Sequence, residues 1–286
     1  MTPSIASQAG GLIRLMRPKQ WVKNAFVLAP LIFARAFNDP GAVATSLMAV
    51  ALFCAASSAS YIVNDLHDRD ADRAHPTKRN SRPLASGRVT MGPALVLLGT
   101  LYLLVALTWF WSQPLALALF AYVALNLAYT FWLKHQPVLD IFSIAVGFVL
   151  RVYAGAAVLQ VPLSSWMAIT TLCLALYLAA VKRKQELASN GSESRRVLER
   201  YTPALIERYA EMSAVGALVF YSLFVMSASP ALVWTIPLVI FGMFRYWYVV
   251  DTLEGGESPT DVVLTDIPLA LTIGVWAGLC VLSLKQ

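Results

Sequence analysis

Long apolar runs separated by short polar breaks set the pattern of this chain. The runs fall at residues 21–37, 41–63, 93–111, 115–133, 138–159, 165–181, 212–227, 231–250 and 267–284. Most are close to the ~20 residues that a helix needs to cross the hydrocarbon core of a bilayer. They predict nine transmembrane helices. The first is the weakest, because Lys23 and Arg35 lie at its edges, where long basic side chains reach back to the interface. An earlier cluster, Leu12, Ile13, Leu15 and Met16, is short and interrupted by Arg14. It reads as an interfacial helix and lacks a signal-peptide pattern.

The polar breaks are not equivalent. Arg14, Arg17, Lys19 and Lys23 surround the start of the first run, six Lys/Arg lie between Arg69 and Arg88, Lys134 follows the fourth run, and seven lie between Lys182 and Arg208. If nine helices alternate, all of these fall on one side, and breaks on the other side such as Ser112-Gln113-Pro114, Gln160 to Ser164 and Ser227 to Pro230 are short and uncharged. The positive-inside rule then puts the N-terminus and the charged loops in the cytoplasm and the C-terminus outside. The expected location is the cell inner (plasma) membrane, crossed many times.

Composition agrees with the pattern. Of 286 residues, 58% are hydrophobic and 13% charged, with a mean hydropathy of +0.63, against about 25% charged in soluble domains. The fold class is an all-α integral membrane protein, one domain over residues 1–286 with cytoplasmic loops at about 64–92, 182–211 and 251–266. The net charge of +6 is accounted for by loops beside anionic lipid and calls for no nucleic acid. Cys54, Cys173 and Cys280 are far apart in apolar runs, with no spacing suited to zinc or a disulfide framework.

The densest polar chemistry lies in Tyr61 to Arg88, YIVNDLHDRDADRAHPTKRNSRPLASGR. If the preceding helix continues, Asp65, Asp68 and Asp72 stand at i, i+3 and i+7 and share a face, with Asn64 beside them, while Asp70 points elsewhere. Carboxylates so aligned repel one another unless a cation sits between them. Hard oxygen ligands suit Mg²⁺, which takes one or two carboxylates and completes its shell with water and substrate phosphates. Lys78, Arg79 and Arg82 follow in the same loop and are suited to grip those phosphates. A solvated loop that merely stops a helix is the alternative, disfavoured by the cationic cluster that follows at once.

A second polar stretch opens with Lys182, Arg183, Lys184 and Glu186, where Lys182 and Glu186 can pair at i, i+4. Lys182 and Arg183 are candidate partners for phosphate or carboxylate, whereas Lys184, Arg195 and Arg196 read as interfacial anchors. In the third loop, Asp251 to Asp266, the acids can cap helices as easily as bind metal. Arg151 and Arg245 lie inside apolar runs and require a polar cavity or a partner.

These residues resemble a known family. NDLHDRDAD matches the NDxxDxxxD signature of the UbiA-type intramembrane prenyltransferase superfamily. RPKQWVKN from Arg17, HPTKRNSRPLASG from His75, YLAAVKRKQE from Tyr177 and SPTDVVLTDIPL from Ser258 resemble its decaprenyl-phosphate phosphoribosyltransferase branch. The resemblance implies nine helices around a central cavity open to lipid and to the cytoplasmic side. It implies Mg²⁺-dependent transfer of 5-phosphoribose from phosphoribosyl diphosphate to a polyprenyl phosphate, toward arabinofuranose donors of the cell envelope. Asp65, Asp68 and Asp72 would hold the metal and, with Asn64, form the catalytic set. Tyr61, Lys78, Arg79, Arg82, Lys182, Arg183 and Glu186 would meet the substrates. Lys23 would serve either the lipid phosphate or topology. Aromatic prenyltransferases carry a second aspartate motif where this chain has Lys182-Arg183-Lys184-Gln185-Glu186, a departure that fits the phosphoribosyl branch. The rival expectations are a prenyl diphosphate transferase with an aromatic or lipid acceptor and, from another class, a membrane transporter or lipid-binding scaffold. The sequence sets no oligomeric state.

Overall fold

The structure, a computed structural model, describes residues 5–76, 78–190, 197–252, 262 and 265–285. Among these there is helix and no strand. A short amphipathic helix, α1 (Ile5–Leu15), is followed by α2 (Pro40–His67), α3 (Met91–Leu107), α4 (Gln113–Phe131), α5 (Leu139–Val158), α6 (Ser165–Asn190), α7 (Pro203–Ala228), α8 (Ile236–Thr252) and α9 (Ile267–Lys285). The helices α2 to α9 supply eight segments long and apolar enough to cross a membrane, α3 and α8 being extended by 3₁₀ turns. Each coincides with one of the apolar runs, with ends moved by the caps. Asp39 accepts the Gly41 amide at 2.8 Å and starts α2, and Thr202 accepts the Leu205 amide at 3.2 Å and starts α7 well before its apolar run.

The first run, 21–37, does not form a regular span helix. It is a 3₁₀ helix over Pro18–Leu28, a short α-helix over Ala29–Phe33 and a 3₁₀ turn over Ala36–Asn38, with Arg35 at φ 60° between the last two. Pro30 sits in the first turn of the short helix, where its missing amide costs nothing. The run lies antiparallel along α2. Trp21 donates to Ser58 (3.1 Å), Asn24 donates to Ser57 (3.3 Å), and Asp39 ends the segment as the cap of α2. Apolar content alone does not report helical pitch, and here the pitch is set by side-chain hydrogen bonds to a patch of small buried residues, Ala56, Ser57, Ser58, Ala59 and Ser60. Small residues let two backbones approach closely within a membrane.

The centre of the bundle is α5, with 61% of its apolar window buried against 22% for α3, α8 and α9. It packs on α4 and α6 and on the broken segment. A Cβ built on Gly155 would lie 2.0 Å from the Val27 carbonyl oxygen, so only glycine admits that backbone. Arg151, on the same helix and 4% exposed, meets the sequence expectation through partners, not through an open cavity. Its Nε donates to Asn24 Oδ1 (2.9 Å), Nη1 to the Gly147 carbonyl (2.8 Å) and Nη2 to the Tyr122 hydroxyl (3.0 Å). The rings of Phe53, Tyr122 and Phe148 surround its guanidinium.

Gly155→Ala forces the Val27 backbone to move and is expected to cost at least about 1–3 kcal/mol, the usual range for overpacking. Thermal unfolding of the detergent-solubilised protein measures it. Gly274→Ala is the control, because a Cβ there meets nothing within 4 Å and its midpoint should be unchanged or slightly raised.

Candidate active site at the aspartate loop

The face predicted for Asp65, Asp68 and Asp72 survives a change of helix. Regular geometry ends at His67, and Asp68 adopts φ −86°, ψ 1° before a short helix over Arg69–Ala74. Backbone bonds nevertheless bridge the break, from the Asp68 amide to the Asn64 carbonyl (2.9 Å) and from the Asp72 amide to the Asp68 carbonyl (2.8 Å). Asp65 is 2% exposed and Asp72 is buried, whereas the Asp70 side chain is 79% exposed and pairs with Arg69 and Arg73.

Each of the three acids on the face meets a basic side chain. Arg17 Nη2 donates to Asp65 Oδ1 in a very short contact, and Arg17 also lies over the Tyr61 ring. Arg82 reaches both Asp65 Oδ1 (Nη1, 3.4 Å) and Asp72 Oδ2 (Nε, 4.0 Å). Burial, followed by the like charge of Arg17, pushes the Arg82 pKa down from its ordinary value, and a guanidinium stays protonated through such a shift. Lys134 Nζ donates to Asp68 Oδ1 (2.8 Å), and Asn64 Nδ2 donates to Asp68 Oδ2 (3.1 Å). The Oδ2 atom of Asp65 is buried without a hydrogen-bond partner among the described residues.

These donors fit a hard divalent cation. Among the described residues no three His, Cys, Asp or Glu side chains converge as a ready cage. Mg²⁺ does not require one, since two carboxylates, water and substrate oxygens complete its shell. The orphaned Asp65 oxygen, and the Asp68 carboxylate with the Asn64 amide beside it, are donors of the kind that such an ion uses.

The second polar stretch behaves differently. Arg183 is 1% exposed, and all three of its nitrogens are engaged. Nε donates to Asp140 (2.8 Å), Nη1 to Glu186 (2.6 Å) and Nη2 to the Tyr129 hydroxyl (3.2 Å). Tyr201 donates to the other Asp140 oxygen (2.7 Å) and accepts the Val138 amide (2.6 Å). That last bond holds Val138 at φ 69°, where a β-branched residue is rarely found. Burial, followed by the Asp140 hydrogen bond, pushes the Tyr201 pKa up. Arg183 and Glu186 thus join the ends of α4, α5 and α6. Lys182, one position away, stays half-buried at 3.8 Å from Glu186, the pairing that the spacing predicts.

Of the remaining candidates, Arg79 is exposed, Lys23 is half-buried, and the side chain of Lys78 lies outside the described residues, as do Arg195, Arg196 and most of the third loop. Within that loop, Asp266 caps α9 at the Leu269 amide (2.9 Å) and accepts two bonds from Arg245 (3.1 and 2.8 Å). That pairing holds its carboxyl below the usual range. Sequence reading did not single out Arg17, Lys134, Asp140 or Tyr201 as functional. Arg17 was visible within RPKQWVKN, and Lys134 was visible as an isolated cation at a span end. The Tyr129 and Tyr201 partnerships left no local signal. Two hollows of about 320 and 450 Å³ lie beside Trp234 and Trp111, at the other end of the bundle from the aspartates.

Residues 25–260 match the model of the UbiA prenyltransferase family. The chain belongs to that family. It is 35% identical over 289 residues to a decaprenyl-phosphate phosphoribosyltransferase of Mycolicibacterium smegmatis, covering 94% of this chain and 90% of that protein. A protein of the same description from Corynebacterium glutamicum is also 35% identical, over 96% of this chain and 87% of the relative. The fold of this UbiA-family protein resembles that of an Archaeoglobus fulgidus UbiA homologue bound to GPP and Mg²⁺, with a TM-score of 0.72 at 17% identity over 96% of this chain and all of the other.

The two sets of basic residues should separate on substitution. Arg183→Met leaves Asp140 and Glu186 without their buried cation and is expected to lower stability by about 3–5 kcal/mol. Arg79→Met, on an exposed side chain, should stay within about 0.5 kcal/mol. Thermal or denaturant unfolding in detergent distinguishes them.

Proposed function

We propose that this protein transfers 5-phosphoribose from phosphoribosyl diphosphate to a polyprenyl phosphate of the decaprenyl type and releases diphosphate. Its product would be an activated pentose lipid for cell-envelope glycans. The observation that carries this reading is the 35% identity, over nearly the whole chain, to proteins described as decaprenyl-phosphate phosphoribosyltransferases. The cations near the C-terminal end of α6, in place of the second aspartate motif of aromatic prenyltransferases, support it. Arg183 contributes there by fixing helix ends, and Lys182, half-buried and paired with Glu186, is the member we assign to a phosphate.

We infer that Asp65, Asp68 and Asp72, with Asn64 beside Asp68, would hold Mg²⁺. When bound, the ion supplies charge neutralisation for the departing diphosphate. Arg82, Lys78 and Arg79 receive the diphosphate oxygens, and Lys182 takes the 5-phosphate or the acceptor phosphate. Tyr61 forms the wall under Arg17. The C1–O bond to diphosphate breaks and carries its electron pair away, and a phosphate oxygen of the lipid forms the new C1–O bond. That oxygen is already anionic at neutral pH, so no base need remove a proton. His67, packed edge-on against Phe131 at 4.9 Å, and His75 and His135 have no assigned step.

The same geometry supports a reading of the topology. Arg17 meets Asp65 at one end of α2, and Asp39 caps its other end, a separation of about 37 Å at 1.5 Å per residue. Segment 18–38 therefore covers the full depth of the bilayer core. We read it as a ninth, irregular crossing that leaves the N-terminus and the aspartate loop in the cytoplasm and the C-terminus outside. The whole chain acts as one transmembrane catalytic domain in the inner membrane, with a substrate cavity opening at the cytoplasmic end.

Membranes containing the protein, given labelled phosphoribosyl diphosphate, polyprenyl phosphate and Mg²⁺, should form a labelled lipid. Asp68→Asn should reduce its formation by a factor of about 10²–10³, the scale of losing one preorganised electrostatic contact, in protein that still inserts normally. Consumption of a prenyl diphosphate with an aromatic acceptor, without labelled lipid, would instead identify an aromatic prenyltransferase. No metal-dependent turnover of either kind, together with a transport or lipid-binding activity that Asp68→Asn leaves largely intact, would point to a transporter or scaffold.

A further inference from the structure

Two kinds of buried ion pair occur at this end of the bundle, and they differ in saturation. Around Arg183 every nitrogen has an acceptor, and both oxygens of Asp140 are used. At the aspartate loop the pairing is incomplete. Asp65 Oδ2 and Arg17 Nε are both buried without a partner among the described residues, although the two side chains touch through other atoms. Arg17 also adopts φ 54°, ψ 61° immediately before Pro18, a left-handed conformation that costs an ordinary residue free energy and that a following proline further disfavours.

Charge balance gives this incompleteness a direction. Three acids face three cations, with Arg17 on Asp65, Arg82 on Asp65 and Asp72, and Lys134 on Asp68. A bare divalent ion arriving here gains carboxylates only by displacing cations, and each displaced cation is then left poorly solvated beside a dication. A diphosphate arriving with the ion changes the balance. Its oxygens accept the fork of Arg17 and the ammonium of Lys134 in charge-assisted bonds, and the aspartates are released to the metal.

We propose that Arg17 and Lys134 are resident counter-cations that hold Asp65 and Asp68 until a diphosphate takes them over, so that metal and diphosphate bind together and a divalent ion alone binds weakly. The inference rests on reading the aspartate loop as a metal–diphosphate site. It does not depend on whether the diphosphate carries ribose or a prenyl chain. Both residues are in this sense specificity determinants, since they make the site select a metal–diphosphate complex over free metal.

The test uses the full chain in detergent, Mn²⁺ as the metal probe and inorganic diphosphate as the ligand, with protein-bound Mn²⁺ measured by equilibrium dialysis. Wild type should bind Mn²⁺ at least about tenfold more tightly with saturating diphosphate than without it. Arg17→Gln and Lys134→Met should each strengthen binding of bare Mn²⁺ by about tenfold, as expected for removing one positive charge near a dication, and should shrink the gain from diphosphate. A merely structural role predicts weaker binding under both conditions. Equal affinity of wild type with and without diphosphate overturns the proposal, whatever the variants do. So does bare-metal affinity that fails to rise in monodisperse preparations of the two variants. Because diphosphate is the leaving group in either transfer reaction, a negative phosphoribosyl assay with positive synergy here would reject the donor and leave the counter-cation role standing.

Discussion

The contact between Asp65 and Arg17 joins the end of α2 to the irregular segment that runs back along it. A carboxylate 2% exposed loses nearly all of its hydration, and a nearby cation offsets that cost. Arg17 supplies one from a position that the chain reaches only through a left-handed turn before Pro18. From that point the segment is committed to lie along the small residues of α2, where Trp21 and Asn24 find Ser58 and Ser57. Asn24 in turn accepts from Arg151 of α5, so the polar pairing at the aspartate loop extends into the middle of the bundle.

Arg151 illustrates how a charge is tolerated there without an acid. Its three nitrogens are directed at an amide oxygen, a main-chain carbonyl and a phenol, and three aromatic rings face its guanidinium. Neutral acceptors and ring quadrupoles answer a guanidinium better than they answer an ammonium, because the guanidinium is planar and weakly hydrated. The result is a cross-brace between α2, α4, α5 and the 18–28 segment. Gly155, one turn further along α5, is what lets the Val27 backbone come close enough for Asn24 to reach it.

What could be read from the sequence follows from the range of the interactions involved. Eight spans were legible because apolar length is a property of each run taken alone. The aspartate face was legible because i, i+3 and i+7 spacing persists even where the helix changes at Asp68. The irregular form of 21–37 was not legible, because its pitch depends on partners in α2 and α5. Lys182 and Arg183 could not be told apart either. They are neighbours in sequence but about 100° apart around a helix, so one stays near the surface and the other is turned inward to Asp140, an acid 43 residues earlier. Lys134 was legible as a charge and not as a partner, since Asp68 lies 66 residues before it.

The inward turn of Arg183 bears on how a shared fold changes substrate. An exchange of acids for bases near the C-terminal end of α6 would be expected to act by offering new cations to a phosphate, yet the most buried of those bases is consumed by Asp140, Glu186 and Tyr129. Its observed effect is to tie the ends of α4, α5 and α6 together beside Lys134, the residue that faces Asp68. On the proposed reading, further positive charge for a substrate comes from Arg17, Arg82 and Lys134, all of them already in contact with acids. In such an arrangement selectivity does not require a pocket shaped to the sugar alone. It also arises from the number of phosphate oxygens needed to draw three cations away from three aspartates, and a ligand that brings too few leaves the site closed on itself.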